Sequence, residues 1–371
     1  NAEQDFKKSQ KQGRIQVVLV SLNPEESNKK YKWIHDYTGP IISLLEETDF
    51  GSHTEKQVRK IEYLNANKKK LIRFNTSGTN IGRVAKAMGK NEVSDTIVVP
   101  YAMVEQDRDA SKNGIVIRRY YNAVFGSKVN KLLEGYGAED LPTIRKIIEK
   151  PWAQEAFLGA VWGDLLGSST ARTRYGMNLN QMAEEDLKYI MAFQSGTKKS
   201  MNQHKEVIEK YCPEVYVLVL HGDVRGMCNK TAQQMTKEKI VELKNGMIPG
   251  KNKLIVLTNM MGSRSYTVGE IQAVLFMQDG GDVNTFIQKS SRVLSPFPGK
   301  KFGHIFDFAF DPNKTRNTEM AIVHDAVLTQ VITGKPFPKC LRQVLDSVNL
   351  YDMDKGGWQS NDQMMVRLED N

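Results

Sequence analysis

Three carboxylates stand within four positions at the end of an apolar run. Glu46, Glu47 and Asp49 directly follow PIISLL, which has the composition of a buried strand. Ligands of doubly wound α/β sheets bind beyond the carboxyl ends of the strands, so these side chains are candidates for chemistry. One acid can hold Mg²⁺ through water while its neighbour orients or deprotonates an attacking water. An acidic turn that caps the next helix is the alternative interpretation.

Hydroxyl and arginine side chains follow other apolar runs. Ser77 and Thr79 lie in FNTSGTN, at the end of a second strand-like run, and Arg264 lies in the flexible sequence after LIVLTN. The sequence FIQKSSR places Gln288 and Arg292 four residues apart, on one face of a helix. An arginine directed at a phosphate stabilises the charge that develops during phosphoryl transfer. Each motif is weak alone, and the prediction depends on their order along the chain.

A threonine and two lysines form a candidate phosphate site. Thr197, Lys198 and Lys199 follow the run YIMAF and begin a helical segment. Backbone amides at a helix N-terminus, together with a lysine, can bind a phosphate group. The lysine run KKK at residues 68–70 is either a solvated face or a second contact to a phosphate backbone.

The elements that would position these side chains lie in two segments with an α/β pattern. Between residues 13 and 100, the β-rich runs IQVVLVSL, PIISLL, KKLIRFNTSG and SDTIVVP alternate with charged helical stretches. This alternation predicts a parallel sheet covered by helices. From residue 187 the pattern returns with YIMAFQSG, VYVLVLHGD, KLIVLTNMMG, IQAVLFMQD and FGHIFDFAF. We therefore predict a second α/β domain that contains these five strands.

The remaining segments have a helical pattern. Runs such as LPTIRKIIEK and WAQEAFLGAVWGDLLG predict a helical connector or insertion at residues 111–185. The tail begins with EMAIVHDAVLTQVI, which predicts a helical appendage at residues 316–371. The predicted division is therefore a first α/β domain at 1–110, the connector, a second α/β domain at 186–315, and the appendage.

Composition restricts the class of protein. The chain has 371 residues, of which 40% are hydrophobic, enough to bury a core in each of two domains. A net charge of +9 favours a polyanionic partner. Three cysteines without metal-ligand spacing argue against a zinc site. No apolar stretch approaches the ~20 residues that cross a bilayer, which predicts a soluble, cytoplasmic protein without a membrane partner.

The ordered motifs resemble those of superfamily 2 helicases and translocases, in which two RecA-like domains hold ATP between them and move along nucleic acid. EETD resembles the Walker B or DExD segment, and SGT resembles the segment that couples hydrolysis to strand movement. TNMMGSRSYTV resembles the motif that contacts both nucleotide and nucleic acid, and QKSSRVLS resembles the arginine-containing final motif. The resemblance covers about residues 15–312. The long connector and the RSYTV loop are more similar to phage-type or restriction-type DNA translocases than to DEAD-box RNA helicases.

The resemblance implies ATP and Mg²⁺ as cofactors and assigns roles to individual residues. It implies that Glu46 binds Mg²⁺ through water, that Glu47 is the catalytic glutamate, and that Asp49 completes the box. Arg292 matches the first arginine of the final motif. Three residues are implied to contact the nucleotide: Gln288, Gly262 and Arg264. Two are implied to couple hydrolysis to movement: Ser77 and Thr79. Four are implied to contact nucleic acid: Thr197, Lys198, Lys199 and Thr258.

Three departures from the family pattern change these expectations. Glu46 replaces an Asp, and Ser295 stands where a second arginine is expected, with Lys300 or Lys301 as possible replacements. No G-x-x-x-x-G-K-[ST] phosphate loop occurs in the sequence. We therefore expect this to be the C-terminal portion of a helicase whose upstream segment, or a partner, supplies that loop. DNA is favoured over RNA as the partner, in the host cytoplasm if the protein is phage-encoded. A non-hydrolysing nucleic-acid-binding protein with a degenerate helicase fold is the alternative.

Overall fold

The structure is a computed structural model. It describes residues 31–45, 70–75, 116–124, 159–167, 178–194, 196–222, 228–259, 266–277, 283–309, 317–352 and 357–369, and single positions at 4, 7, 8, 63, 64, 66 and 67. The chain divides into two compact units, Asn1–Ile97 and Val98–Asn371. We describe each unit by itself.

The first unit contains a short parallel β-pair. Helix α1 spans Lys32–Asp36, and strands β1 and β2 span Ile41–Leu45 and Leu71–Asn75. The two strands are parallel, with Ile41 opposite Leu71. The predicted strands in PIISLL and KKLIRFNTSG are therefore confirmed, as is their parallel direction. The other two predicted strands, IQVVLVSL and SDTIVVP, lie outside the described residues.

The second unit is built on a sheet of eight described strands, in the order β10-β9-β3-β8-β7-β4-β6-β5. Every neighbouring pair is parallel except β9 and β10, which are antiparallel. The strands are β3 at Ile117–Val124, β4 at Tyr189–Phe193, β5 at Val215–Leu220, β6 at Lys253–Thr258, β7 at Ala273–Phe276, β8 at Phe302–Ala309, β9 at Asn349–Asp352 and β10 at Gly357–Trp358.

Helices connect these strands. They are α2 at Gly159–Leu166, α3 at Leu179–Ala183, α4 at Lys198–Tyr211, α5 at Asn229–Lys244, α6 at Val283–Ser290, α7 at Asn317–Thr333, α8 at Phe337–Leu345 and α9 at Asn361–Glu369. A 3₁₀ turn at Ser291–Val293 continues α6. No helix of the described part is both long and apolar enough to span a membrane.

Helices cover both faces of this sheet. One apolar cluster joins strand residues such as Ala192 and Phe306 to Trp162 of α2 and Met201 of α4. The other joins Phe193 and further strand residues to α5 through α9. Because successive residues of a strand point to opposite faces, a strand covered on both faces has no polar side. Continuous apolar runs such as LIVL in β6 therefore fit the interior of the sheet. The predicted α/β fold, with predominantly parallel strands and helices packed against them, is confirmed.

All five strands predicted for the second α/β domain are present, as β4 to β8. The predicted helical connector differs from the structure, because Ile117–Val124 forms strand β3 between β8 and β9. The two arginines in IRRYYNAV do not suggest a buried strand. Arg118 is buried in an ion pair with Asp325 of α7, at 2.7 Å between Nη1 and Oδ2, and this pair compensates its charge.

The predicted C-terminal appendage is also part of the sheet. It contains α7, α8 and α9, but Asn349–Asp352 pairs in parallel with β3 through Tyr120 and Leu350. The compact second unit begins at Val98 and includes this segment, whereas the sequence placed boundaries at residues 110, 185 and 315. A short polar strand such as NLYD gives little sequence signal, because its burial depends on neighbours that are distant along the chain.

Candidate functional site

Two of the predicted nucleic-acid contacts lie at the same edge of the sheet. Thr258 is the last residue of β6, and it is in register with Phe193 at the end of β4 and with Leu220 at the end of β5. The backbone N–H of Gln194 donates to the Thr258 carbonyl at 2.9 Å. Thr197 follows three residues later and precedes α4. Thr258 and the start of α4 therefore lie at the same end of the parallel strands, although the Thr258 side chain is buried and Thr197 is exposed.

Thr197 is the N-cap of α4. Its Oγ1 accepts from the Ser200 N–H at 3.2 Å, and the Ser200 hydroxyl donates to the Thr197 carbonyl at 2.9 Å. The close approach of Ser200 explains Gly196, since a Cβ at that position would lie 2.6 Å from the Ser200 Oγ. Lys198 and Lys199 are exposed in the first turn, which contains no acidic residue. The helix dipole and two lysines therefore give this end of α4 a positive potential.

His221 closes the same edge from β5. Its ring nitrogen Nε2 lies 3.3 Å from the Gly196 carbonyl, which accepts the hydrogen bond. The residue directly after β5 is thus tied to the segment that precedes α4. This contact assigns His221 a structural role at the strand end.

Hydrogen bonds link three buried side chains, from α2, from α4 and from the residue that follows β4. Trp162 Nε1–H donates to His204 Nε2 at 2.6 Å, so His204 Nδ1–H donates to the Gln194 side-chain carbonyl. Burial lowers the pKa of His204 to about 3, so its imidazole is neutral. The Gln194 Nε2 is buried and has no hydrogen-bond partner. The sequence did not predict these hydrogen bonds. The burial of His204 could have been predicted, because it lies on the same face of α4 as the apolar Met201.

The final motif forms the end of α6 and the following 3₁₀ turn. Arg292 donates from Nε to the Gln288 carbonyl at 3.1 Å, from Nη1 to the Tyr266 carbonyl at 2.7 Å and from Nη2 to the Ser291 Oγ at 3.0 Å. The Tyr266 hydroxyl in turn donates to Thr236 Oγ1 at 2.7 Å, and burial raises the pKa of Tyr266. The structure therefore brings Gln288 and Arg292 together and ties the guanidinium to Tyr266.

Lys300 does not occupy the place of the absent second arginine. Its Nζ donates to the carbonyls of Gly269, Ile271 and Ser295, at 3.1, 2.5 and 3.2 Å. Burial lowers its pKa to about 8. The three acceptors belong to the turn before β7 and to the segment after the 3₁₀ turn, so Lys300 holds these two segments together. Lys301 is exposed at the amino end of β8.

Several predicted site residues lie outside the described residues. They are Glu46, Glu47, Asp49, Ser77, Thr79, Gly262 and Arg264. Within the part of the chain that the structure describes, no three or more His, Cys, Asp or Glu side chains form a group that could bind a metal ion. The three cysteines are free thiols: Cys212 and Cys340 are buried, and Cys228 is exposed.

No protein-family model matches the sequence. No curated protein matches it either. Among solved structures, similarity extends to Dbp5 of S. cerevisiae bound to RNA and ADP BeF3, with 13% identity and a TM-score of 0.43 over 92% of this chain and 66% of that chain. It also extends to the ATP-dependent Type ISP restriction-modification enzyme LlaBIII bound to DNA, with 12% identity and a TM-score of 0.45 over 87% and 23% of the two chains.

The helicase Lhr of Mycobacterium smegmatis, bound to ssDNA and AMP-PNP, is also similar. It has 12% identity and a TM-score of 0.42 over 94% of this chain and 44% of that chain. The chain therefore spans less than two thirds of each of these three proteins. Because these identities and TM-scores are low, we assign the fold from the protein's own strand order and register. They describe an α/β sheet of predominantly parallel strands.

Proposed function

We propose that the chain is the C-terminal portion of an ATP-dependent superfamily 2 helicase or translocase that hydrolyses ATP to move along DNA. The observation that carries this proposal is the convergence of Thr258 and the Thr197 N-cap at the carboxyl edge of β4 and β6. Both were predicted as nucleic-acid contacts from separate motifs. Carboxyl edges are where ligands of open α/β sheets bind, so the placement supports a binding role.

The electrostatics of α4 support a phosphate contact. Its 14 residues begin with the exposed Lys198 and Lys199, and the N-terminal end of the helix adds a partial positive charge. Such contacts position a nucleic-acid backbone without reading its sequence. The site therefore fits a translocase, which must bind successive nucleotides of any sequence.

The remaining roles in this proposal follow the motifs. Glu46 holds Mg²⁺ through water, Glu47 activates the attacking water, and Asp49 completes the acidic box. Arg292 stabilises the charge that develops on the transferred phosphoryl group. The nucleotide is further contacted by Gln288, Gly262 and Arg264, and hydrolysis is coupled to movement by Ser77 and Thr79. DNA is the proposed partner within the phage-type or restriction-type branch.

One observation favours the alternative, a nucleic-acid-binding protein that does not hydrolyse ATP. The Arg292 guanidinium donates to acceptors in Gln288, Ser291 and Tyr266, all within its own unit. An arginine that stabilises a transferring phosphoryl group must exchange some of these bonds for bonds to the nucleotide. Under the alternative, Arg292 keeps its present partners and serves only to fix the turn after α6.

ATP hydrolysis separates the two functions. The rate is measured on the longest protein that contains this sequence, with and without single-stranded and double-stranded DNA and RNA. The motor function predicts hydrolysis that DNA stimulates and that Glu47→Gln abolishes. Nucleic-acid binding without hydrolysis would establish the alternative, and a protein that neither binds nucleic acid nor hydrolyses ATP would contradict both.

A further inference from the structure

Lys289 is a buried lysine whose ammonium has no counter-ion among the described residues. The residue is 1% exposed. Its Nζ lies 4.8 Å from the centroid of the Phe193 ring. Within the described residues, this cation-π contact is the interaction that the ammonium makes. Burial lowers the pKa of Lys289 to about 8. The side chain is therefore mostly charged at neutral pH.

An uncompensated buried ammonium is costly for the fold. Removing an ammonium from water is unfavourable, and a buried cation-π contact offsets only part of that cost. Lys300 provides a comparison within the same unit, because burial also lowers its pKa to about 8. Three backbone carbonyls accept hydrogen bonds from Lys300. Among the described residues, no carbonyl accepts from the same three donors of Lys289, so its ammonium can bind an anion.

The ammonium lies at the edge of the sheet that carries the proposed site. Helix α6 packs against the end of β7, where the rings of Phe286 and Phe276 are 4.5 Å apart. The Phe276 ring stacks on Phe193 at 5.5 Å. Phe193 is in register with Thr258, so both side chains lie on the same face of the sheet. Lys289 therefore lies over the carboxyl end of β4, on the face to which Thr258 belongs.

We propose that Lys289 is a phosphate-binding residue whose ammonium neutralises a phosphate group bound at the carboxyl edge of β4 and β6. This inference rests on the proposed function and gives a role to a residue of QKSSRVLS to which the resemblance assigned none. The phosphate belongs either to a nucleotide or to a nucleic-acid backbone, since both present the same oxyanion. Because the side chain is 1% exposed, the phosphate displaces the atoms that now cover it. A lysine binds such an oxyanion as a point charge with three donors.

The variant Lys289→Met tests this role, since it keeps the length of the side chain and removes the charge. Binding is measured on the same protein with two probes: ADP by isothermal titration calorimetry, and a fluorescein-labelled single-stranded oligodeoxynucleotide by anisotropy. We expect the affinity for one probe to fall about tenfold or more, because a charge-assisted hydrogen bond is lost. The probe that loses affinity identifies the source of the phosphate. The melting temperature of the free protein should stay the same or rise.

Lys300→Met is the matched control. It removes a buried ammonium that is satisfied by carbonyls, so the melting temperature should fall while both affinities per folded molecule stay the same. If Lys289→Met instead lowers the melting temperature and leaves both affinities unchanged, Lys289 is structural and the inference is wrong. If the wild-type protein binds neither probe, the proposed function fails together with it.

A second measurement covers the case in which Lys289→Met does not fold. Wild-type affinity for the responsive probe should decline between pH 7 and pH 9, because the ammonium loses its proton near pH 8. Lys289→Arg stays charged across this range and should abolish the decline. A wild-type decline that Lys289→Arg retains would also overturn the inference.

Discussion

Trp162 donates a hydrogen bond from its indole nitrogen to Nε2 of His204, at 2.6 Å, in the core of the second unit. Because His204 Nδ1–H donates to Gln194, both ring nitrogens are used by a neutral imidazole. A second ring proton would remove the acceptor of the indole N–H and place a charge in the core. The contact therefore links the protonation state of one histidine to the position of Gln194, the residue that follows β4.

The first prediction concerns acid stability. Burial holds the pKa of His204 at about 3, while an unfolded histidine has a pKa of about 6.5. The unfolded chain therefore binds a proton as the pH falls below about 6.5, and the folded chain does not until about pH 3. The stability present at neutral pH declines by about 1.4 kcal/mol per pH unit in this window.

Urea denaturation at pH 7 and pH 5 measures this effect. We expect the contribution of His204 to the free energy of unfolding to fall by about 2 kcal/mol between these values. His204→Gln should be less stable than the wild type at pH 7 and should lose less stability on acidification. Equal losses in the two proteins would show that His204 takes up its proton without unfolding.

The second prediction concerns Lys198 and Lys199. Replacing both with Gln should weaken DNA binding for all sequences and reduce the slope of log affinity against log salt by about 2, if each lysine contacts one phosphate. Fluorescence anisotropy at several salt concentrations measures the slope.

The matched control removes the same charge from the opposite edge of the same sheet. Lys188 and Lys301 are exposed and directly precede β4 and β8, at the amino ends of the strands. Their double Gln variant should keep the wild-type slope. If both double variants change the slope equally, the net charge of the protein, rather than the start of α4, determines binding.

The third prediction concerns the ion pair between Arg118 and Asp325. Their side chains are 7% and 8% exposed. Arg118→Met leaves the Asp325 carboxylate buried without its partner and should cost about 3–5 kcal/mol in the free energy of unfolding. Adding Asp325→Leu should recover much of this loss, because no buried charge remains.

Arg342→Met is the surface comparison. The Arg342 and Asp362 side chains are 47% and 83% exposed, so solvent replaces their interaction and the loss should be much smaller. Comparable losses for Arg118→Met and Arg342→Met would contradict the role assigned to the buried pair.

The same ion pair explains why some strands could not be predicted from the sequence. Strands β4 to β8 could be predicted because both of their faces are largely covered, so apolar residues predominate in them. Strand β3 could not, because the buried Arg118 is neutralised by Asp325, which is 207 positions away. Strand β9 could not either, since its Asp352 is buried beside Arg367 of α9.

The candidate site divides in the same way. The positions of Thr197 and Thr258 followed from local rules, since Thr258 ends an apolar strand and Thr197 caps the helix that follows one. The four-residue spacing of Gln288 and Arg292 predicted one helix face for both, whereas α6 ends at Ser290 and Arg292 lies in the 3₁₀ turn that follows. The acceptors of Arg292 in Tyr266 and Ser291, and the partners of His204, depend on tertiary packing and have no local pattern in the sequence.

The last prediction separates two roles of Arg292. The guanidinium fixes the segment at Tyr266, so Arg292→Ala should lower the free energy of unfolding by about 1–3 kcal/mol. If Arg292 also stabilises the phosphoryl group in the transition state, the same variant should lower the DNA-stimulated rate of ATP hydrolysis by about 10³-fold or more. A loss of activity alone does not establish this role, because a displaced turn would also slow hydrolysis.

Lys300→Met provides the necessary comparison. It frees the carbonyls of Gly269 and Ile271, which lie in the same connection as Tyr266, and leaves the guanidinium in place. The two variants are compared when they lose similar amounts of stability. If Arg292 has a direct role in hydrolysis, Lys300→Met should keep most of the ATPase rate that Arg292→Ala loses. If both variants slow hydrolysis equally, Arg292 acts by positioning this turn. Loss of the guanidinium would then have no effect beyond that of loosening the segment.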